Sequence, residues 1–553
     1  MREIVNNMYR LKTVSDFWAI LFLSVLNLIF MHYCVAKETN LVSSFKLSML
    51  IGCILNTFVD VLLLFFLSYY ILFKKIKVAL CLTFLITLFW SFSNVLYSRF
   101  FHHYITLSAV SQIGNVINYE MMKCIIDGLK IEDYFLLLFL ILFVVLYFKF
   151  STINFFVGKF LNTLFFTLFI YEILIFLYYT NYSRAFPLYD SNGFNFRQGS
   201  IVSLVIDYHN YYNSTNKLTE EQISQINDFK LNNCNRACQR IKQGKSNVVF
   251  ILVESFMSFV TDMKVSGKDV TPFLNSLKND STIYYNGNMN ENVTLGESSD
   301  GQFIYMTGLL PLRSSITVSK VRYNTLPSLS HFYGETSRMI IPTKKEMWLQ
   351  DEMCHKYDIS MLFTCEDIDN GRNTYLNDEQ IFRLAKEKDL SLQQPFFSVI
   401  LTMSMHQPYT QQIDNTFFIN EPSIPNDLAC YLNACHYTDK QINSYFEHLK
   451  NAGLYEESLI VIASDHSVHN TNFGGVSNKL PLFIINGGIS PSNMWHGECN
   501  QIDLYTTLLD LMGGEYEWCG LGHSLVSPNY TNVISDSIWE MSESIIMGDY
   551  FSE

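Results

Sequence analysis

The sequence predicts two joined parts: an N-terminal bundle of five transmembrane helices, then an α/β domain whose mostly parallel sheet is flanked by helices. Three observations predict this. Five apolar stretches of spanning length precede Thr180. From Asn247 onward, short runs rich in β-branched residues alternate with helical patterns, the signature of a parallel sheet with helical crossovers. Cysteines after Thr180 fall in near-neighbour couples, as suits disulfides in an oxidising compartment outside a cytoplasmic membrane.

The spans are read as Phe17–Val35, Leu47–Phe73, Val78–Tyr97, Tyr134–Phe148 and Ile153–Tyr179. The first apolar run is too long for a cleavable signal peptide and lacks a small-residue cleavage site, so none is expected. Arg2, Arg10 and Lys12 precede the first span, Lys74, Lys75 and Lys77 follow the second, and Lys149 follows the fourth. Basic flanks stay in the cytoplasm, so an odd number of spans places everything after Thr180 outside. The loop from Ser98 to Asp133, with Ile105, Val110, Ile113, Val116 and Ile117 among polar residues, reads as an interfacial helix. Residues 1–180 are thus the membrane domain. Residues 181–246 form a polar, tyrosine-rich linker expected to wrap the catalytic domain, which fills 247–553.

Composition narrows the function. Only 16% of the 553 residues are charged, which is low for a wholly soluble protein, and the net charge is -13. Nucleic acid is excluded as a partner, because phosphate backbones are bound by basic surfaces. The expected cysteine couples are Cys234 with Cys238, Cys354 with Cys365, Cys430 with Cys435, and Cys499 with Cys519.

The chemistry gathers on three segments. Asn247–Val253 is an unbroken apolar run ending at Glu254, as when a buried parallel strand delivers one carboxylate to its C-terminal edge, where open α/β sheets hold their ligands. The turn Gly296-Glu297-Ser298-Ser299-Asp300-Gly301 offers two hydroxyls and a carboxylate before an apolar helical pattern through Leu310, and a helix N-terminus favours anions. A second apolar run, Ser458–Ser464, ends in Asp465-His466. A carboxylate, a hydroxyl and an Asp-His pair can hold a divalent metal against an activated alcohol. Their mixed O/N ligation suits Mn²⁺, Mg²⁺ or Zn²⁺.

In this order the motifs resemble the lipoteichoic acid synthase branch of the alkaline phosphatase/sulfatase superfamily, membrane enzymes that transfer phosphoglycerol from phosphatidylglycerol. The family carries a Glu after the first strand, a Gly-x-Thr-Ser-Asp-x-Glu-Phe segment, a Ser-Asp-His strand end, and a late stretch like His496-Gly497-Glu498 before Asp503–Leu508. The resemblance implies a sulfatase-like catalytic fold with Ser298 as nucleophile, where the family has Thr; Ser299 and Thr294 are the fallback hydroxyls. It further implies that Glu254, Ser298, Asp465 and His466 ligate one metal ion, Mn²⁺ by family preference, and that His406 binds substrate or protonates the leaving glyceride oxygen. The family's Trp-Asn-Arg aligns with Trp348-Leu349-Gln350. Gln350 cannot supply the bidentate cation that an arginine presents to phosphate. Either Lys344 or Lys345 then substitutes, or the headgroup differs, while Trp348 either stacks on the headgroup or is an ordinary core tryptophan.

The sulfatase signature, Cys or Ser followed by x-Pro-x-Arg, is missing after Ser298. The implied function is a transferase that moves phosphoglycerol from a glycerophospholipid to a glycan or glycolipid through a phospho-serine, in a bacterial cytoplasmic membrane. The alternatives are a phosphoethanolamine transferase, using phosphatidylethanolamine as donor, and a catalytically inactive envelope scaffold.

Overall fold

The computed structural model describes residues 2–551 except 40, 42–46, 73, 102, 107–108, 111–128, 151–158, 183–190, 214–217, 237–246, 314, 322–324, 370–374, 390, 408, 410–423, 469–472, 474–475, 514–515 and 549. The described chain divides into two compact units, one running to Asn213 and the other beginning beyond it. The core of the expected interfacial helix, including Ile113, Val116 and Ile117, lies outside the described residues.

The first unit is helical: α1 (Arg2–Glu38), α2 (Leu47–Ile71), α3 (Ile76–Phe101), α4 (Tyr134–Lys149), α5 (Lys159–Tyr182), α6 (Ser191–Gln198) and α7 (Ser200–Asn213). Four of these are long and apolar enough to cross a membrane, over Ser15–Glu38, Leu47–Ile71, Ile76–Arg99 and Ile131–Lys149. The fifth apolar helix is shorter, Thr163–Tyr179, and the start of its expected span lies outside the described residues. Many side chains of α4 and α5 remain exposed and apolar, as lipid-facing helices require. The interior is fixed by aromatic packing, with the Phe84 and Phe143 rings stacked at 4.0 Å. Polar anchors add direction: Arg99 holds Asp133 through two hydrogen bonds of 2.7 Å, and the buried Asp60 carboxylate accepts the Ser200 N–H at the start of α7.

In the second unit, α8 (Glu220–Arg236) precedes a sheet of eight strands. These are β1 (Asn247–Val253), β4 (Tyr284–Asn290), β5 (Ser337–Ile340), β6 (Met361–Phe363), β7 (Phe397–Leu401), β8 (Ser458–Ser464), β9 (Leu480–Ile485) and β10 (Cys499–Asn500). The short β2 (Lys264–Val265) and β3 (Lys268–Asp269) make a separate antiparallel ribbon. The order is β10-β4-β9-β8-β1-β7-β5-β6, with β9 antiparallel to both of its neighbours and the remaining pairings parallel. The mostly parallel expectation therefore holds, and β1 sits at the centre between β7 and β8.

The remaining helices are α9 (Pro272–Lys278), α10 (Ser298–Thr307), α11 (Gln350–Lys356), α12 (Glu366–Asp369), α13 (Asp378–Asp389), α14 (Asn426–Asn451), α15 (Asp503–Met512) and α16 (Asp536–Gly548). Alternation along β1 sorts the layers. Val249, Ile251 and Val253 join a core with Leu274 of α9, Ile381 and Phe382 of α13, and Tyr431 and Ile442 of α14. Phe250 turns to the other face, where it packs on Tyr305 of α10 with ring centroids 5.4 Å apart. Each fully buried Val or Ile of β1 contributes about 1.5–3 kcal/mol. Beneath β5 the buried Arg338 pairs with the equally buried Asp389 and donates to Ser398 Oγ at 2.9 Å.

The near-neighbour cysteine couples are overturned. Cys234 of α8 bonds Cys519, a sequence separation of 285, while Cys354, Cys365, Cys430, Cys435 and Cys499 are free thiols. Cys430 and Cys435 lie on one helix, α14, where positions five apart point to different faces. Cys354 instead touches the Met339 sulfur at 3.6 Å. Cys238 lies outside the described residues.

Candidate active site

Glu254 leaves the end of β1 with its backbone N–H donating to Thr402 Oγ1 at 3.0 Å, which ties it to the end of β7. Asp465 leaves the adjacent β8, and its Oδ1 accepts the backbone N–H groups of Ser255 and His466, each at 2.8 Å. Parallel pairing of β1 with β8, Val253 opposite Ser464, is what brings the two carboxylates to one edge. His466 Nδ1–H donates to the Ser467 carbonyl at 2.8 Å, which turns Nε2 toward the cluster, 3.5 Å from Glu254 Oε1.

Ser298 opens α10. Its Oγ donates to Glu254 Oε2 at 3.2 Å and lies 3.2 Å from His466 Nε2. The turn before it is unusual, because Glu297 holds φ 48 and ψ -119, where L residues are rarely found. Asp300 locks that turn: its Oδ2 accepts the N–H and hydroxyl of Thr294 at 3.0 and 2.8 Å and the N–H of Gly296 at 2.9 Å. Gly301 lets the helix dock, since a Cβ there would lie 2.3 Å from the Asp465 carbonyl oxygen. From the other side Gln501 Nε2 donates to that same carbonyl at 2.7 Å.

The electrostatics reflect crowded carboxylates. Burial works to raise Glu254, but the hydrogen bond and charge of His466, with smaller help from His406 and Ser255, hold it well below the usual carboxylate range. Asp465 is pushed up to about 7, first by burial and then by the neighbouring Glu254 charge. Burial would lower His466, yet Asp465, Glu254 and Glu297 together raise it well above 6.5. Such a cluster attracts positive charge.

The residues present fit a divalent cation. Ligand atoms of Glu254, Asp465 and His466 lie within 4.8 Å of one another, a spacing spanned by ordinary metal–ligand bonds of about 2.0–2.2 Å. All three are buried, the imidazole tautomer is set by a backbone carbonyl, and the Ser298 hydroxyl borders two of them. These are the four residues expected to share one ion.

The other expected residues lie around this centre. His406 is exposed after β7, with Nδ1 donating to the Gln407 carbonyl at 2.7 Å, and its charge favours the ionised form of Glu254. Thr294 is spent on Asp300 and Leu312, and Ser299 Oγ donates to the Gly296 carbonyl at 2.6 Å, which leaves Ser298 as the hydroxyl that faces the cluster. Trp348 and Leu349 form a left-handed turn with φ 52 and 54. Gln350 is buried in a reciprocal amide pair, donating to Gln302 Oε1 at 2.7 Å and accepting from Gln302 Nε2 at 3.2 Å. Gln302 therefore meets Gln350 where the resembling family has Glu and Arg, a neutral pair in place of a charged one. His496 lies on the surface, its Nε2 2.9 Å from the Pro491 carbonyl. Sequence reasoning missed Thr402, Glu297, Gln302 and Gln501; only the motif position of Gln302 offered a signal.

Residues 246–514 match the sulfatase family. The chain is 30% identical over 318 residues to lipoteichoic acid synthase 2 of Bacillus subtilis (strain 168), covering 53% of this chain and 48% of that protein. It is 30% identical over 250 residues to the lipoteichoic acid synthase of Staphylococcus saprophyticus, covering 43% and 38%. The chain thus spans about half the length, or less, of these curated relatives. The integral membrane lipooligosaccharide phosphoethanolamine transferase A of Neisseria meningitidis shares the fold, with a TM-score of 0.51 at 13% identity over 89% of this chain and 95% of that one. Residues 246–514 are a sulfatase domain following an N-terminal transmembrane domain, and over about half of its length the chain is similar to lipoteichoic acid synthases.

Proposed function

We propose that the chain is a membrane phosphotransferase that takes a phosphoglycerol headgroup from a glycerophospholipid and passes it to a glycan or glycolipid through a covalent phospho-Ser298. The observation that carries this reading is the position of Ser298 Oγ, 3.2 Å from both Glu254 Oε2 and His466 Nε2 at the head of a helix. Glu254, Asp465, His466 and Ser298 would hold one divalent ion, with Mn²⁺ suggested by the resemblance. When bound, that ion lowers the hydroxyl pKa and polarises the phosphate.

Ser298 gives its proton toward Glu254 Oε2 as Oγ bonds to phosphorus. The bond from phosphorus to the glyceride oxygen breaks, and His406 donates the proton that makes the departing diacylglycerol neutral. In the second half the acceptor oxygen bonds to phosphorus, the Ser298 ester breaks with Oγ taking back the proton held by Glu254 Oε2, and the acceptor's proton passes to His406. The dipole of α10 favours a phosphate at Ser298, while the N–H groups of Ser299, Asp300 and Gly301 are held by the Gly296 and Glu297 carbonyls. The partition into membrane domain 1–180, linker 181–246 and extracytoplasmic catalytic domain 247–553 goes with this reading, in a bacterial cytoplasmic membrane.

One observation favours a second donor. Gln350 presents no cation and its amide is engaged by Gln302, so a headgroup that needs no arginine clamp, such as phosphoethanolamine, fits this chain as well. Diacylglycerol release measured in parallel from phosphatidylglycerol and phosphatidylethanolamine tests both. Release from phosphatidylethanolamine alone overturns the phosphoglycerol donor, and release from neither supports the inactive scaffold.

A further inference from the structure

A cavity of about 470 Å³ runs between helix α11 and the sheet's last strand, β6. Asp351, Cys354 and His355 line it from one face of the helix, being spaced three and four residues apart. Ser360, Leu362 and Thr364 line it from the strand at period two, with Lys345, Glu366 and Asp367 at its rim. Helix α11, which forms one wall, adjoins the nucleophile's helix. The Asp351 N–H bonds the Lys345 carbonyl at 3.1 Å, and the preceding Gln350 bonds Gln302, one turn along α10 from Ser298.

The lining chooses its ligand. Three carboxylates outweigh one ammonium, so a further phosphate or phosphorylated polyol is repelled. Among the described residues, the side chains of Lys345, His355 and Glu366 have no hydrogen-bond or ion-pair partner. A cavity whose apolar wall is Ile359 and Leu362, with carboxylates, hydroxyls and an imidazole around it, matches the face and edges of a neutral sugar ring, whose hydroxyls donate to carboxylates. The geometry points to this groove as the acceptor subsite, taking an uncharged or amino-bearing glycan and delivering its hydroxyl toward Ser298. This assignment rests on the transferase reading above. It also separates acceptor from donor, since the carboxylate-rich groove repels the anionic headgroup, which an ion held by Glu254, Asp465 and His466 would attract.

The test uses the full chain in lipid nanodiscs. Hydrogen exchange over residues 345–367 is followed with maltose, glucosamine and glycerol 1-phosphate as probes. Maltose or glucosamine is expected to protect the segment, and glycerol 1-phosphate is not. In parallel, transfer to a synthetic alkyl diglucoside is measured for the isosteric Asp351→Asn/Glu366→Gln variant and for Leu362→Trp, which fills the groove. Each is expected to raise the acceptor KM by about tenfold or more, while diacylglycerol release without acceptor stays within about twofold of wild type. Protection by glycerol 1-phosphate equal to that by maltose, an unchanged acceptor KM in both variants, or donor cleavage falling in step with transfer would each overturn the assignment. A wild-type chain that releases no diacylglycerol would sink the transferase reading alone, because the exchange measurement reads the groove without turnover.

Discussion

Ser298 and its three neighbours are tied together by the ends of two central strands and the head of one helix, so each can be removed singly with the frame intact. Mn²⁺ present at about a hundred times its dissociation constant is expected to stabilise the catalytic unit by about 2.7 kcal/mol, and Asp465→Asn is expected to abolish that gain. Thermal melts with and without the ion check it; an equal shift in the variant would remove Asp465 from the ligand set. Glu254, Ser298, Asp465 and His466 were legible because each closes an apolar run or opens a helical one, and strand ends share an edge. The supporting residues were not. Thr402 bonds Glu254 from 148 positions away and Gln350 bonds Gln302 from 48 away, and no local pattern announces such pairings.

At the scale of elements, α10 reaches its place because Gly301 lies against the backbone of Asp465. Gly301→Ala must push the helix outward. The expected stability loss is about 1–3 kcal/mol, with activity falling about a hundredfold as Ser298 moves off line. Activity near wild type would show that the docking tolerates a methyl group. A second junction is the N-terminus of α9, where Asp439 of α14 accepts the N–H groups of Phe273 and Leu274 at 3.0 and 2.8 Å. Burial pushes this carboxyl up to about 7, above its ordinary 3.8, against those hydrogen bonds. Between those values the unfolded chain gives up the proton and the folded chain keeps it, so stability falls as pH rises through that window. Asp439→Asn is expected to remove this component, so wild type loses stability relative to the variant as pH rises from 4 to 7; parallel melting curves would contradict it. The long apolar strands β1 and β8 were readable from composition. Tyr284–Asn290 was not, being mostly polar, nor was Ser337–Ile340, whose Arg338 is buried only because Asp389 waits beneath it.

The whole molecule joins a helical unit with apolar spans to a sulfatase-like domain, and both halves were visible as a change of pattern near Thr180. The cysteines misled because spacing along the chain does not report spacing in the fold. Cys234 and Cys519 staple α8 to the end of the domain across 285 positions. Replacing both with Ser is expected to cost up to about 5 kcal/mol, since a long loop is released, and to leave residual activity at low temperature. An unchanged melting temperature would show that the staple adds nothing. The central claim concerns the first half-reaction, and one measurement addresses it: diacylglycerol released from phosphatidylglycerol and phosphatidylethanolamine vesicles by the full chain with Mn²⁺, beside Ser298→Ala and with mass analysis of residue 298. The account predicts release by wild type with a phosphorylated Ser298 and a loss of at least about a thousandfold in the variant. Equal release by Ser298→Ala would contradict it.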